Sequence, residues 1–133
     1  EIKIQMGSAW KLEEEFTADI GGRDSISGLP RRIELTTEHI REALAEPLTA
    51  IIDAIKSTLD KTPPELAADI MENGIMLSGG GALLAGIAQR VSHETGMRAI
   101  VAADPLYSVV FGSGQALENI DAMRGLLTQT GID

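Results

Sequence analysis

The sequence has 133 residues, 44% of them hydrophobic, which is enough for one globular domain with a buried core. Its formal charge of −9, from 11 basic and 20 acidic residues spread along the chain, disfavours nucleic acid as a partner. The absence of cysteine excludes a disulfide framework and any cysteine-based zinc site, and no apolar run approaches the ~20 residues of a membrane-spanning helix. We therefore expect a cytoplasmic protein. Because the chain opens on Glu1-Ile2-Lys3 without a methionine, we also expect it to be part of a longer one.

Two segments near the N-terminal end alternate apolar and polar residues. The first is EFTADIGG, residues 15–22, and the second is LPRRIELT, residues 29–36. A period of two is typical of a strand with one buried face, and the segment between them is rich in glycine and serine. The pattern predicts two strands joined by a short loop. The acidic run Glu13-Glu14-Glu15 just before them is most simply a solvated surface.

A long amphipathic helix is predicted next. Thr36 or Thr37 is a suitable N-cap. Apolar residues then recur at steps of three and four, the helical period, at Ile40, Leu44, Leu48, Ile51, Ile55 and Leu59. Pro47 lies inside this pattern, so we expect a kink or a break near Glu46.

The segment DKTPPEL, residues 60–66, divides the chain into two halves, because two consecutive prolines force an extended break. The second half alternates helix and strand: PELAADIMEN is predicted to be helical, GIMLS a strand, GALLAGIAQRVSHET a helix and MRAIVA a strand. This order predicts an α/β fold with a parallel sheet. Two strands are too few for a parallel sheet covered on both faces, so we expect its neighbouring strands to lie outside this chain.

A last helix is predicted to start at Asp104 as its N-cap, with Pro105 at its first position. The triplet Gly112-Ser113-Gly114 interrupts this helix in the sequence. Because glycine destabilises a helix interior by ~1 kcal/mol, we expect close packing against a neighbouring element there. His39, Trp10 and Tyr107 have no evident catalytic partner and are expected to pack or to lie at the surface.

Three consecutive glycines, Gly79 to Gly81, follow the strand GIMLS. We expect Ala82 to begin a helix, so that this turn directs backbone N–H groups and the helix dipole beyond the carboxyl end of the sheet, where ligands bind in α/β folds. Glycine accepts positive φ and lets a flat ring or a phosphate approach the backbone. A tight turn that binds nothing is the alternative, and spacing alone does not separate the two.

Two familiar nucleotide motifs do not fit this turn. The phosphate loop of P-loop enzymes requires a lysine after its last glycine, and no lysine lies between residues 74 and 133. The dinucleotide motif G-x-G-x-x-G fails at Leu84, which stands where its third glycine belongs, although Asp104 lies roughly where an acidic ribose ligand would be. A Rossmann-like oxidoreductase therefore remains only as an alternative.

Residues 62–118, from TPPELAADIMENG to FGSGQALE, closely resemble the C-terminal part of the MreB family of bacterial actin-like cytoskeletal proteins. The likeness extends upstream, where residues 27–66 resemble the family's subdomain IIB hairpin and long helix and EIKIQMGSAW resembles the helix end before them. The resemblance implies part of an actin/Hsp70-like, ribonuclease H-like ATPase fold. Residues 1–62 would be a small α+β subdomain like IIB, and residues 63–133 the C-terminal part of the parallel-sheet subdomain IIA.

The resemblance also implies a role for the glycine turn. It resembles the adenosine motif of this superfamily, with Gly79, Gly80 and Gly81 beside the ribose and adenine of ATP and Leu83 against the base. Lys3 resembles the lysine that borders the ribose, and its glutamate partner would precede Glu1. The phosphate-binding hairpins, the Mg²⁺ ligand and the residue that positions water would all lie upstream. We therefore expect no catalytic or metal-binding residue here and no ATP hydrolysis by this chain alone.

For the intact protein, the resemblance implies an ATP-binding cytoskeletal protein and slow ATPase. Its filaments, associated with the inner face of the cytoplasmic membrane, would organise cell-wall synthesis and maintain rod shape. The implied partners are other copies of the protein, a transmembrane cytoskeletal adaptor and cell-wall elongation proteins. Membrane attachment would use the N-terminal half, and this acidic stretch is not expected to bind lipid. The alternative is a non-polymerising nucleotide-dependent enzyme of the same superfamily, or the Rossmann-like oxidoreductase.

Overall fold

The computed structural model describes residues 1–127, which form short helices and two small sheets. The part of the predicted second subdomain at residues 128–133 lies outside the described residues. The elements, in chain order, are α1 (Ile2–Met6), β1 (Thr17–Arg23), β2 (Pro30–Thr36), α2 (Thr37–Ala43), α3 (Ala45–Asp60), α4 (Pro64–Asn73), β3 (Ile75–Leu77), a 3₁₀ turn (Gly80–Leu83), α5 (Ile87–Thr95), β4 (Ala99–Val101), α6 (Ser108–Glu118) and α7 (Ile120–Leu127).

The two predicted strands form an antiparallel hairpin, as expected. β1 and β2 pair along their whole length, from Thr17 opposite Thr36 to Arg23 opposite Pro30. The tip is ordered by the Asp24 carboxylate, which accepts backbone N–H groups from Ile26 and Ser27 at 3.0 and 2.8 Å. This local bonding fixes the turn without any apolar support.

The predicted helix begins where the sequence indicated. The Thr36 hydroxyl accepts the backbone N–H of His39 at 3.1 Å, and His39 Nδ1 accepts the backbone N–H of Thr36 at 3.2 Å, so each residue caps the other. The predicted break is also confirmed, at Leu44 between α2 and α3. Pro47 lies in the first turn of α3, where its missing N–H removes no hydrogen bond.

The second half forms the predicted parallel sheet of β3 and β4, which pair from Ile75 opposite Ala99 to Leu77 opposite Val101. The core lies between α3 and α5, against the segment that follows α1. Its fully buried members are Ala9, Leu48, Ile52, Ile87 and Val91. Among the described residues, the hairpin contributes no side chain to this core.

The helix expected from Ala82 onwards begins later than predicted. Gly80–Leu83 forms a 3₁₀ turn, Leu84 is extended, and α5 begins at Ile87 after Gly86 in the left-handed conformation. The glycines lower the helix propensity of the turn, and Ala85 instead pairs with a distant segment through Ser8. The prediction that the α-helix dipole points out of the glycine turn is therefore wrong.

The predicted start of the last helix is also wrong. The Asp104 carbonyl accepts the Tyr107 N–H at 3.0 Å and closes a turn, and α6 starts only at Ser108. The Pro105 carbonyl accepts the Gly79 N–H at 2.7 Å, so this loop is tied to the glycine turn and cannot open a helix. Gly112 and Gly114 lie within an uninterrupted α6, and among the described residues a Cβ on either would meet nothing within 4 Å, so the expected close packing is not seen there.

A small polar junction joins the base of the hairpin to the rest of the chain. Thr37 is fully buried, its hydroxyl donates to the Glu15 carboxylate, and it accepts the backbone N–H of Phe16 at 3.3 Å. Arg41 pairs with Glu15 at 2.8 Å and donates to the hydroxyl of Ser8, also fully buried, at 3.3 Å. Glu13 and Glu14 are exposed as predicted, whereas Glu15 belongs to this junction.

The junction predicts a pH dependence of stability. The Thr37 hydroxyl and then Arg41 hold the pKa of Glu15 below its ordinary value of 4.5. These bonds favour the ionised carboxylate only in the folded state, so their stabilisation is complete above pH 4.5 and is lost as the pH falls through the lower folded-state pKa. We expect Glu15→Gln to lower the melting temperature of the intact protein at neutral pH and to weaken its fall on acidification.

Thermal unfolding measured from about pH 7 to about pH 3 tests this. Glu14→Gln, an exposed neighbour on the same run, is the matched control and should follow the wild type at every pH. Parallel curves for Glu15→Gln and the wild type would contradict the assigned role of Glu15.

Candidate functional site

The glycine turn joins β3 to the 3₁₀ turn. Gly79 has φ of +81°, a conformation that a residue with a side chain rarely adopts. Its N–H donates to the Pro105 carbonyl at 2.7 Å, and its carbonyl accepts the Ala82 N–H at 3.2 Å. The turn is thus held by backbone bonds on both sides, and its shape does not depend on side chains.

The outer face of this turn is open. Within the described part of the chain, a Cβ placed on Gly79 or Gly81 would meet no atom within 4 Å, and one on Gly80 would lie 3.6 Å from Leu106 Cδ2, an ordinary contact. The three glycines therefore leave bare backbone exposed without being required by packing inside the described residues. A flat ring can lie against such a surface, and a branched side chain on it would occupy the same space.

Two leucines flank the open backbone. Leu83, predicted from the resemblance, lies on the 3₁₀ turn and not on the first turn of an α-helix, and 58% of it is exposed. Leu106 was not singled out in the sequence, yet it lies against Gly80 and is 59% exposed. The sequence could have indicated Leu106, because β3 and β4 are parallel and the residues that follow parallel strands meet at one edge of the sheet.

Lys3 lies on α1 and is exposed, with no hydrogen bond or ion pair of its ammonium within residues 1–127. The chain that follows it approaches the glycine turn: Ser8 forms a parallel bridge with Ala85, and the Ala9 N–H donates to the Ala85 carbonyl at 2.7 Å. The structure therefore brings the segment carrying Lys3 beside the residues that follow the turn. It records no direct bond between the Lys3 side chain and the glycines.

A separate cavity of about 510 Å³ lies between α3, α4 and β3. Its lining residues are Ile51, Ala54, Ile55, Thr58, Leu59, Ile70, Gly74 and Ile75. The Thr58 hydroxyl is already bonded to the Ala54 carbonyl at 2.8 Å, so no side chain of the lining is free to bind a phosphate or a ribose. This apolar cavity is not a candidate nucleotide site.

Neither a metal site nor a membrane-spanning helix occurs in the part of the chain that the structure describes. Across residues 1–127, no group of three or more histidine or acidic side chains is placed to hold a metal ion. None of the helices in the same range combines the length and apolar character needed to cross a bilayer.

Comparison with known proteins decides the family. The sequence profile of the MreB/Mbl proteins matches residues 1–125. The chain belongs to the MreB/Mbl family. It is 45% identical over 124 residues to the cell shape-determining protein MreB of Escherichia coli K12, covering 93% of this chain and 36% of that protein. It is 39% identical over 123 residues to the cell shape-determining protein Mbl of Bacillus subtilis 168, covering 92% of this chain and 37% of Mbl.

Solved MreB structures share the fold. MreB5 of Spiroplasma citri bound to ADP superposes with a TM-score of 0.86 at 35% identity, over 98% of this chain and 38% of that one. The same protein bound to AMPPNP gives a TM-score of 0.85 at 36% identity, over 91% of this chain and 36% of the MreB5 chain. The predicted resemblance and the actin-like ATPase fold are confirmed, which disfavours the Rossmann-like alternative. This MreB/Mbl chain spans little more than a third of the length of the relatives it matches.

Proposed function

We propose that the intact protein is an actin-like, ATP-binding cytoskeletal protein and that this chain supplies the wall that contacts adenosine. The observation that carries this proposal is the open backbone of Gly79 to Gly81 at the carboxyl end of β3. It is supported by the family and by the MreB5 structures, which were determined with ADP and with AMPPNP.

Each site residue has a distinct task in this proposal. The backbone of Gly79, Gly80 and Gly81 lies beside the ribose and adenine, while Leu83 packs against the base and Leu106 widens the same apolar surface. Both leucines are more than half exposed, so the base can bury apolar area that is otherwise in water. Lys3 borders the ribose, where its unpaired ammonium can donate hydrogen bonds to hydroxyl groups.

The phosphates and Mg²⁺ would be held outside this chain. No lysine follows Lys61 in the sequence. Of the described arginines of the second half, Arg90 is paired with Glu94 at 3.2 Å, and Arg98 precedes β4, at the end of the sheet away from the glycine turn. Phosphoryl transfer needs cations around the transferring group, so the adenosine wall alone should not hydrolyse ATP. In this division, residues 1–62 form a subdomain like IIB and residues 63–133 the C-terminal part of a subdomain like IIA.

The cellular role follows from the family. Relatives of this chain are cell shape-determining proteins. We propose membrane-associated filaments at the inner face of the cytoplasmic membrane that organise cell-wall synthesis, with other copies of the protein, a transmembrane adaptor and elongation proteins as partners. The net charge of −9 disfavours direct binding of this stretch to anionic lipids, so attachment would use the upstream half.

The test uses the intact protein and a Gly80→Val variant. The valine has room in the fold, since its Cβ would lie 3.6 Å from Leu106, but it projects a branched side chain into the space proposed for the nucleotide. We expect ADP affinity measured by calorimetry to fall at least about tenfold, and ATP-dependent light scattering to be lost with it. The melting temperature without nucleotide should change little.

Gly21→Val is the matched control, because Gly21 is exposed on β1 and a Cβ there meets nothing within 4 Å. It should bind ADP and scatter light like the wild type. Unchanged ADP affinity in Gly80→Val would contradict the adenosine wall. ADP binding without any scattering in the wild type would instead favour a non-polymerising enzyme of the same superfamily.

A further inference from the structure

The segment Ser8 to Trp10 packs edge to edge against Ala85 and Gly86. Ser8 forms a parallel bridge with Ala85, and the Ala9 N–H donates to the Ala85 carbonyl at 2.7 Å. The contact joins residues that are more than 70 positions apart in the sequence. This contact holds the residues that follow α1 against the residues that follow the glycine turn.

Gly86 makes this contact possible for two separate reasons. Its φ of +75° lies in the left-handed region that glycine favours. A Cβ at Gly86 would also lie 2.5 Å from Trp10 Cβ and 2.9 Å from the Trp10 backbone nitrogen, closer than such atoms can approach. Any side chain at this position must therefore push the Trp10 segment away.

Three anchors hold the segment in place. Ala9, 1% exposed, belongs to the core with Ile87 and Val91 of α5. The Trp10 ring contacts the His93 ring of α5 with centroids 4.9 Å apart and ring planes tilted by 49°. The buried Ser8 hydroxyl accepts a hydrogen bond from Arg41 at 3.3 Å. The segment cannot shift without disturbing one of these contacts.

Lys3 lies on α1, which ends two residues before Ser8, and Gly81 lies four residues before Ala85. We propose that Gly86 and Trp10 are positioning residues that set the place of Lys3 relative to Gly79–Gly81 at the adenosine site. This inference rests on the proposed function, because it assumes that Lys3 and the glycines contact one nucleotide. Neither Gly86 nor Trp10 needs to touch the nucleotide itself.

A double-mutant cycle on the intact protein tests whether Gly86 acts through Lys3. ADP affinity is measured by calorimetry for the wild type, Lys3→Ala, Gly86→Ala and the double variant. We expect Lys3→Ala to weaken binding about tenfold, as loss of a charged hydrogen-bond donor does, and Gly86→Ala to weaken it by a similar factor. The double variant should be no more than about twofold weaker than either single variant.

Gly96→Ala is the matched control. Gly96 has φ of +69° at the other end of α5, and a Cβ there would meet nothing within 4 Å among the residues that the structure describes. It carries the same backbone strain without the Trp10 contact. We expect Gly96→Ala to lower the melting temperature and to leave ADP affinity unchanged.

A spectroscopic readout reports the contact without nucleotide. In protein labelled with 5-fluorotryptophan, the ¹⁹F resonance of Trp10 is identified by its loss in Trp10→Phe. The chemical shift of this resonance should change in Gly86→Ala and remain that of the wild type in Gly96→Ala. If Gly86→Ala does not fold, Trp10→Ala takes its place in the cycle, because it removes the ring contact with His93 while leaving the Gly86 backbone intact.

The outcomes separate this inference from the proposed function. If the wild type does not bind ADP, the proposed function fails. Suppose that the wild type binds ADP and that the loss of ADP affinity in the double variant equals the product of the losses in the two single variants. The positioning inference alone is then overturned, and the same holds where Trp10→Ala replaces Gly86→Ala. It is also overturned if Lys3→Ala binds ADP like the wild type, or if the Trp10 resonance is the same in Gly86→Ala as in Gly96→Ala.

Discussion

Gly74→Ala is expected to destabilise the intact protein by about 3 kcal/mol or more, the size of effect seen when a strained backbone and a steric clash coincide. Gly74 links α4 to β3 with φ of +85°. A Cβ there would lie 2.6 Å from the Arg98 carbonyl oxygen, which also accepts the Ile75 N–H at 2.7 Å. The alanine therefore displaces the acceptor that starts the β3–β4 ladder.

The control for this substitution is again Gly96→Ala, which has a positive φ but no atom near its Cβ. Its expected cost is about 1 kcal/mol, that of placing a side chain in the left-handed region. Urea unfolding of both variants, followed by circular dichroism, measures the difference. Equal losses would show that the Arg98 carbonyl yields to the added methyl group, which would contradict the rigid start of the parallel sheet.

Ile52→Ala is expected to cost about 3 to 4 kcal/mol of the free energy of unfolding. Ile52 is 2% exposed and packs in the core with Leu48 and Val91, so its truncation removes buried apolar area and leaves a cavity between α3 and α5. The close packing of protein interiors prevents the neighbours from filling that space completely.

The adjacent Ile51 is the matched control on the same helix. It is 50% exposed and lines the apolar cavity, so Ile51→Ala should cost no more than about 1 kcal/mol. The same urea titrations compare the two variants. An equal loss of unfolding free energy in both variants would mean that the helix face around Ile51 is buried in the intact protein. The core of the intact protein would then be larger than the one formed within this chain.

Local patterns predicted the elements whose stabilising contacts are close in sequence. The hairpin, the Thr36 cap, the break near Pro47 and helix α4 depend on alternation, capping and proline geometry, all of which can be read from a few residues. The two strands of the parallel sheet were found for the same reason. The larger fold was predicted from the resemblance to the MreB family, because two short parallel strands do not identify a fold by themselves.

The errors fall where distant contacts override local propensity. The run from Ala82 to Gly86 is locally compatible with a helix, but Ala85 pairs with the segment after α1. Asp104-Pro105 is a common helix start, yet the Pro105 carbonyl is bonded to Gly79. Both contacts lie around the glycine turn, so the sequence indicated the glycines of the candidate site but not their apolar neighbour Leu106.

The hairpin is attached through a polar junction and adds nothing to the described core. Substitutions along its exposed strands should therefore carry little folding cost, whereas Ser8 and Thr37, fully buried at its base, tolerate few replacements. Such an arrangement lets the outer surface of the hairpin change in sequence without disturbing the packing between α3 and α5.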